Sequence, residues 1–540
     1  MRADARLPGL YFQEPKPAPD YWPRMDVAGF CGFVGQDSRP ADQRYMPVVI
    51  EDAAGFERMF GADVSLCLDA TGAPAKGLLG PAVRTFFAQG GRRCHVVGVP
   101  VPDSFNAAAL ADPLLLEATI GGVANALDGA RQLEGLHALA TVEEVSLLAL
   151  PDAVLAGWTE EQPPTPPAPL ASAARPPASS SLFRMCDLAH LSKPRLALTA
   201  PCRLEWSAPG ASSFELQLAE DPAWSDATTV LAGAVNALLL PAVSTPRYAR
   251  VRARDGDRAS IWSDGVLLPG TAHSLRREVP AHAFQSASML ALHRALLRLC
   301  AARGDAFALL SLPRHYDEAA AISHAALLGN LKDIEAPALS FGALYHPWVA
   351  FAGQGEVAPD GPACGAIARR TISRGAWLAP AGEAWQNAIA LVPRPLNAKR
   401  LNALQQAGIN VLRPTARGIM PLSATTLADD DDLRPIGVRR LLTLLRRIVL
   451  RDGAELIFEP NGEVLHRALQ RRFEALMAEL FARGAFSPAR SAEAFQVTVD
   501  ASGAEKGQLV IELRIAPSRP LAFLLVRLLR TGDRLTLEES

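Results

Sequence analysis

Cys364-Gly365-Ala366-Ile367-Ala368-Arg369-Arg370-Thr371-Ile372-Ser373-Arg374-Gly375-Ala376-Trp377-Leu378-Ala379-Pro380-Ala381-Gly382-Glu383 is the stretch on which the reading of this chain turns. A short amphipathic helix is expected after Pro362. It runs into the turn Arg374-Gly375-Ala376-Trp377 and then into a second turn at Pro380-Ala381-Gly382. Nothing in the stretch is an activated nucleophile, a metal cage or a phosphate cradle. It reads as packing and assembly rather than catalysis.

Composition sets the outer bounds. A chain of 540 residues is too long for one simple core, and about two to four domains are expected. The apolar fraction of 49% and charged fraction of 20% are those of a globular protein. A net charge of −2 gives no polycationic signal for nucleic acid or an anionic membrane. No run reaches the roughly 18 apolar residues that span a bilayer, and Met1–Leu10 has no apolar core of a signal peptide. The seven cysteines are scattered and never spaced as Cys-x-x-Cys, against both a disulfide framework and a zinc site. No cofactor is implied, and a reducing cytoplasm is the expected place of synthesis.

The first 150 residues alternate helices with apolar strands. Strands are expected at 27–34, 48–50, 94–99 and 145–150, and helices at 51–60, 78–89 and 122–138. That rhythm predicts an α/β fold with a mainly parallel sheet flanked by helices. Residues 162–181 then turn to Pro, Ala, Ser and Thr, which is linker chemistry. Beyond them the period becomes two: Phe214, Leu216 and Leu218 alternate with Glu215 and Gln217, and Tyr248, Arg250, Arg252 and Arg254 with Ala249, Val251 and Ala253. Short strands at this spacing predict an inserted β-sandwich with Trp206 and Tyr248 in its core. Trp206, the 248–253 pattern and Trp262-Ser263-Asp264 resemble a fibronectin type III domain over 195–270.

After Pro280 the α/β rhythm resumes, with helices expected at 285–302, 317–328, 384–392, 398–408, 438–451 and 463–481. Strands are expected at 306–312, 339–350 and 409–413, and a hairpin at 495–500 and 508–515. Two apolar strands at the chain ends have no obvious local partner: 7–14, on a leash of Pro15, Pro17 and Pro19, and 521–529, after Pro517 and Pro520. Each needs a sheet edge, which another molecule could supply by the strand-addition mode. The expected organisation is an arm (1–20), an α/β core (21–160 with 275–355), a linker (161–194), the sandwich (195–270), an α+β C-terminal domain (356–516) and a second arm (517–540).

The opening stretch resembles a segment of contractile tail sheath proteins, of the form G-x-x-A-x-x-D-x-x-R-G-v-W-x-A-P-A-G. Further stretches are similar in the same order: Leu7-Pro8-Gly9-Leu10-Tyr11-Phe12, Phe56 to Gly61, Val83 to Val97, Tyr345-His346-Pro347-Trp348, Leu401-Asn402 with Gly408-Ile409-Asn410, Arg417-Gly418-Ile419 and Phe458-Glu459-Pro460-Asn461. Thr371 stands near the family's aspartate, and 413–417 lacks its Phe-Pro-Gly. The resemblance implies a subunit of a phage tail, tailocin or extracellular contractile injection system. It implies self-assembly as a helical homopolymer of stacked hexameric rings. The implied partners are an inner tube, baseplate and cap proteins, and sheath paralogues. Strand arms carrying Leu10, Tyr11 and Phe12, and Leu521, Phe523, Leu525, Val526, Arg527 and Leu528, would link neighbours.

Other motifs weigh less. Gly353-Gln354-Gly355-Glu356-Val357-Ala358 matches a dinucleotide string, but Pro359 and Pro362 follow where a helix should start. Ser286 and Ser288 faintly echo a serine-peptidase motif without its lead-in, which makes an α/β hydrolase the rival from another class. Asp429 to Asp432 lacks the glycine of a calcium loop. Arg439, Arg440, Arg446 and Arg447 are expected on a solvated helix face, with a charged contact to a neighbouring subunit as the sharper alternative.

Overall fold

The computed structural model describes residues 22–539 apart from 36, 41–42, 70–72, 103–104, 106, 117–131, 161–190, 201–202, 222–223, 241–246, 257, 269–275, 330–335, 394–397, 457–461, 488–489, 501–507, 518–523 and 532–533. The strand expected at 7–14, most of the helix at 122–138 and the linker at 162–181 lie outside the described residues.

The first half supplies β1 (Ala28–Val34), β2 (Val48–Ile50), α1 (Ala53–Phe60), β3 (Ser65–Leu68), β4 (Pro74–Lys76), α2 (Leu79–Ala88), β5 (Cys94–Pro100), β6 (Leu147–Ala149) and β7 (Trp158–Glu160). The insertion supplies β8 (Arg195–Ala200), β9 (Arg203–Ser207), β10 (Ser213–Ala219), β11 (Thr228–Gly233), β12 (Ala237–Leu239), β13 (Arg247–Asp255), β14 (Arg258–Ala259) and β15 (Val266–Leu268). After it come β16 (Arg276–Glu278), α3 (Ser286–Arg303), β17 (Phe307–Leu310), α4 (Glu318–Gly329), β18 (Gly342–His346), β19 (Trp348–Phe351), β20 (Gly355–Val357), α5 (Asp360–Arg374), β21 (Ala388–Val392), α6 (Ala398–Gln406), β22 (Ile409–Thr415) and β23 (Gly418–Pro421). The chain ends with α7 (Ile436–Leu456), α8 (Glu463–Ala482), β24 (Phe495–Asp500), β25 (Gln508–Ile515), β26 (Leu524–Thr531) and β27 (Arg534–Glu539).

The body is an eight-stranded sheet in the order β2-β5-β1-β6-β17-β18-β22-β23, parallel except at its two outer strands. Both faces are covered, which is why β1 reads as a continuous apolar run. Ala28 and Phe30 face the layer of α2 and α5, while Cys31 and Phe33 face that of α3, α4 and α6. The sheet closes across the insertion, with Phe307, Ala308 and Leu309 in register with Leu147, Leu148 and Ala149.

The expected boundary at 356 is corrected by this sheet. β22 pairs in parallel with β18 (Leu344 with Ile409, Tyr345 with Asn410), and α5 packs on the same face as α2, so 356–421 belongs to the α/β body. Residues 384–392, expected as a helix, instead end in β21, an edge strand against β19. Asn387 sits at φ 59°, which stops a helix there, and the edge of β19 offers the backbone partners.

The decisive stretch forms α5 and the turn after it. Gly375 ends the helix at φ 106°. The helix crosses α2 at unusually close range. A Cβ on Gly361 would lie 2.6 Å from Ala82 Cα, and one on Gly365 2.3 Å from the Phe86 carbonyl oxygen. Downstream of the crossing, Glu383 bridges Arg369 and Arg370, and Gln89 holds the Gln386 backbone through both amide atoms, at 2.8 Å each.

The insertion leaves the body through a paired stem: β7 and β16 run antiparallel, with Trp158 opposite Glu278 and Glu160 opposite Arg276. It folds as two antiparallel sheets, β12-β9-β8 and β11-β10-β13-β14 with β15 on β13, around Leu204, Trp206, Phe214, Leu216, Leu218 and Val251. Tyr248 is not in that core. Ala249, Val251 and Ala253 take the inward positions of β13, so Tyr248 turns outward against Trp224, beside Arg250, which lies between the Trp224 and Trp262 rings.

Gly365→Val should push the α2–α5 crossing apart and destabilise the body by about 1–3 kcal/mol, as overpacking does. The check is a lowered urea midpoint with the m-value unchanged.

Candidate assembly interface

The C-terminal unit packs α7 and α8 on one face of the antiparallel meander β24-β25-β26-β27. Its core contains Leu441, Leu445, Phe473, Met477, Ile511 and Leu513, and it also takes in Trp22, Met25, Ala376 and Trp377 from distant parts of the chain. The Arg374-Gly375-Ala376-Trp377 turn is thus the joint between body and C-terminal unit. Gly437 lets α7 approach it, because a Cβ there would lie 2.4 Å from the Trp377 carbonyl oxygen.

The strand-arm residues fall as follows. Leu10, Tyr11, Phe12, Leu521 and Phe523 lie outside the described residues. Leu525, Val526, Arg527 and Leu528 lie in β26, opposite Arg514, Leu513, Glu512 and Ile511 of β25. The reading of 521–529 as an unpartnered strand is therefore corrected within one chain. β26 is paired on both sides, by β25 and by β27. β27 was missed because 534–539 is short and polar at its end. Among the described residues, β24 and β27 are the meander's edges, each paired on one side only.

The arginines are placed contrary to expectation. Arg439, Arg440 and Arg447 are 1%, 2% and 7% exposed, so they form no solvated face and no surface contact. Each turns toward the body and meets an acceptor there. Arg439 donates to Ser340 Oγ (3.3 Å) and lies 4.3 Å over the Phe341 ring. Arg440 donates to Thr371 Oγ1 (2.8 Å) and to the Met25 carbonyl. Arg447 donates to the carbonyls of Asp305 (2.9 Å), Arg24 (2.9 Å), Glu144 (3.2 Å) and Val145 (2.5 Å), with Asp305 Oδ2 at 3.6 Å. Arg446 is half-buried and lies against Gly304, where a Cβ would come within 2.6 Å of its guanidinium. Burial pulls the pKa of Arg440 and Arg447 down to about 10, so both stay charged at neutral pH. On α8 the exposed Arg467 pairs with Glu463, and Arg472 reaches Asp452.

The lead-in segment 22–27 is the part of this joint that sequence reasoning missed. It passes between the two units, with Trp22 edge-on to Trp377 (6.1 Å, 72°) and Arg483 over its ring at 4.9 Å. Its one legible signal was a tryptophan directly after a proline-rich run.

The enzyme motifs come apart. The Gly353–Ala358 string forms the β19–β20 hairpin, with Gly353 and Gly355 both at φ 74°, and the next helix starts only at Asp360. Ser286 is exposed and Ser288 half-buried at the start of α3. His293 is buried away from them against His324 (Nδ1 to Nε2, 2.9 Å), and burial lowers both imidazole pKa values. Among the described residues no cluster of His, Cys, Asp and Glu could hold a metal, and no helix is long and apolar enough to cross a membrane.

Two buried carboxyls lie at the C-terminal ends of the parallel strands. Asp152 accepts from the Phe33 and Leu78 backbone N–H groups (2.6 Å each), and Asp360 from Gly361 N–H (2.9 Å). Burial, with Asp360 and Asp63 adding repulsion, raises Asp152 to about 7, and burial raises Asp360 to about 6. Asp152 ties two turns together through these bonds, and Asp360 sits beside the Ser311 hydroxyl.

No family model matches the chain, and no curated protein matches its sequence. Solved structures do match, and they define a fold class: that of contractile injection system sheaths. The sheath complex of PVC, an extracellular contractile injection system in its contracted state, superposes with a TM-score of 0.50 at 14% identity over 96% of each chain. A chain of the contracted anti-feeding prophage (AFP) baseplate superposes with a TM-score of 0.53 at 17% identity, over 96% of this chain and 97% of the other.

Arg447→Ala should cost about 3–5 kcal/mol, because the Asp305, Arg24 and Glu144 carbonyls lose their donor, while the Asp305 carboxylate keeps Arg303. Arg467→Ala should stay within about 0.5 kcal/mol. Paired urea titrations check both. Asp152 and Asp360 have folded pKa values above the ordinary 3.8, so the folded chain binds the extra protons. The stability they contribute is full below pH 3.8 and is lost as pH rises through about 6 and 7. Asp152→Asn should flatten that slope, read as unfolding midpoint against pH.

Proposed function

We propose that this chain is a non-enzymatic structural subunit of the contractile sheath of a phage tail-like injection system. It would polymerise around an inner tube as stacked hexameric rings and drive the tube through a target envelope on contraction. The observation that carries this reading is the end-to-end likeness: 96% of the chain superposes on 96% of a PVC sheath-complex chain. The near-neutral charge, the open edges of β24 and β27 and the short sequence motifs support it.

Neighbours in the lattice would be linked by strands. Residues 7–14 would add to an open meander edge on another subunit. The β25–β26 pairing is the one that a swap could exchange between copies at little cost, since the same bonds re-form. Leu525, Val526, Arg527 and Leu528 would then pair across subunits in the register they hold within one chain. The sandwich is proposed as a fibronectin type III-like module on the outer surface, where its stem is free to emerge. Assembly would take place in the bacterial cytoplasm, and the particle would act outside the cell, bound to a baseplate and a terminal cap. A baseplate-proximal sheath paralogue is the second reading, favoured by the likeness to the AFP baseplate chain.

Electron microscopy of the chain co-expressed with its tube protein should show striated hollow tubes of two lengths. Deleting residues 1–20 should abolish them. Monodisperse globules from the full chain would overturn the reading.

A further inference from the structure

We infer that residues 22–27 are a mechanical anchor: tension applied to residues 1–21 is borne by the C-terminal unit and the Trp377 turn, and does not reach β1. The inference rests on the sheath reading, in which the N-terminal arm is pulled by a neighbouring subunit.

Three kinds of grip act on this short segment. The Trp22 indole is 7% exposed and is held edge-on by Trp377, with the Arg483 guanidinium 4.9 Å over its ring. The Met25 side chain, 3% exposed, belongs to the core of α7 and α8. The carbonyls of Arg24 and Met25 accept from Arg447 and Arg440, about two turns apart on α7. Arg24 also donates a bidentate pair of bonds to the Asp26 carboxylate (3.1 and 2.6 Å), which stiffens the segment around the gripped carbonyls. Only after these does β1 begin, and the Val27 carbonyl accepts from Ser146 and Leu147 N–H at 3.0 and 3.2 Å.

The order of the contacts along the chain is the substance of the inference. Load entering from residue 21 meets the ring, core and carbonyl grips first, and reaches the ladder bonds of β1 only after those have given way. Placing that cluster ahead of β1 shields the middle of the eight-stranded sheet. It also means that segment 22–27 and the last two strands are rooted in one unit, since β26 and β27 belong to the same meander as the core that holds Trp22.

The test uses the full unassembled chain, so it reads the anchor whether or not tubes form. Hydrogen exchange of peptides covering 22–27 and 28–34 is compared in wild type, Trp22→Ala and Trp22→Phe. The anchor predicts exchange in 22–27 faster by at least about tenfold in Trp22→Ala and partly restored in Trp22→Phe, with 28–34 unchanged. Pulling in an optical trap through residue 2, with the second handle in the sandwich, should lose its first rupture event in Trp22→Ala. Unchanged exchange in 22–27, or a matching rise in 28–34, would overturn the inference. Failure of the wild-type chain to form tubes would strike the sheath reading alone.

Discussion

One guanidinium gathers the carbonyls that lie just ahead of three neighbouring strands. Arg24, Val145 and Asp305 precede β1, β6 and β17, and Arg447 donates to the carbonyl of each. At the starting edge of a parallel sheet these oxygens lack a ladder partner, and burial makes an unmet acceptor costly. A helix that carries its donors into that edge can close it without water. The constraint works in both directions. The arginine is tolerated in the interior only because the carbonyls and Asp305 meet it, and the C-terminal unit is held in place because α7 must bring the arginine there.

The sheet on which this depends is assembled from parts far apart in the chain. β6 and β17 are adjacent in space and are separated in sequence by the whole sandwich and its linker. Their three-residue register is set by burial on both faces, where a slip by one residue would turn Leu147, Leu148 and Ala149 toward the wrong helix layer. The α2–α5 crossing fixes the remaining degree of freedom. Gly361 and Gly365 let two helices meet almost backbone to backbone, so α5 ends where Trp377 can enter the second core.

Much of this was legible in the amino-acid order, and the failures have physical causes. Two-sided apolar strands such as 28–34 and the long amphipathic helices announce themselves because burial dictates their composition. The motif order pointed to the family whose fold the superpositions share. Residues 384–392 misled because helix and strand both suit so short a run, and the choice fell to an available edge at β19. The α7 arginines misled because a row of positive charges reads as solvated, and nothing local reveals carbonyls supplied by Arg24, Glu144, Val145 and Asp305. Trp22 was overlooked for the same reason: its partners, Trp377 and Arg483, are more than 350 residues away in sequence.

The stem of the sandwich has a consequence of its own. β7 and β16 leave the body as hydrogen-bonded neighbours, about 5 Å apart. To the body, whatever lies between Glu160 and Arg276 is a closed loop. The entropy of closing such a loop grows only with the logarithm of its length. Selection on the body and selection on the module are therefore nearly uncoupled. The module can diverge, be lost or be replaced by any domain with adjacent termini, so the inserted domain can evolve at its own rate while the α/β body stays fixed.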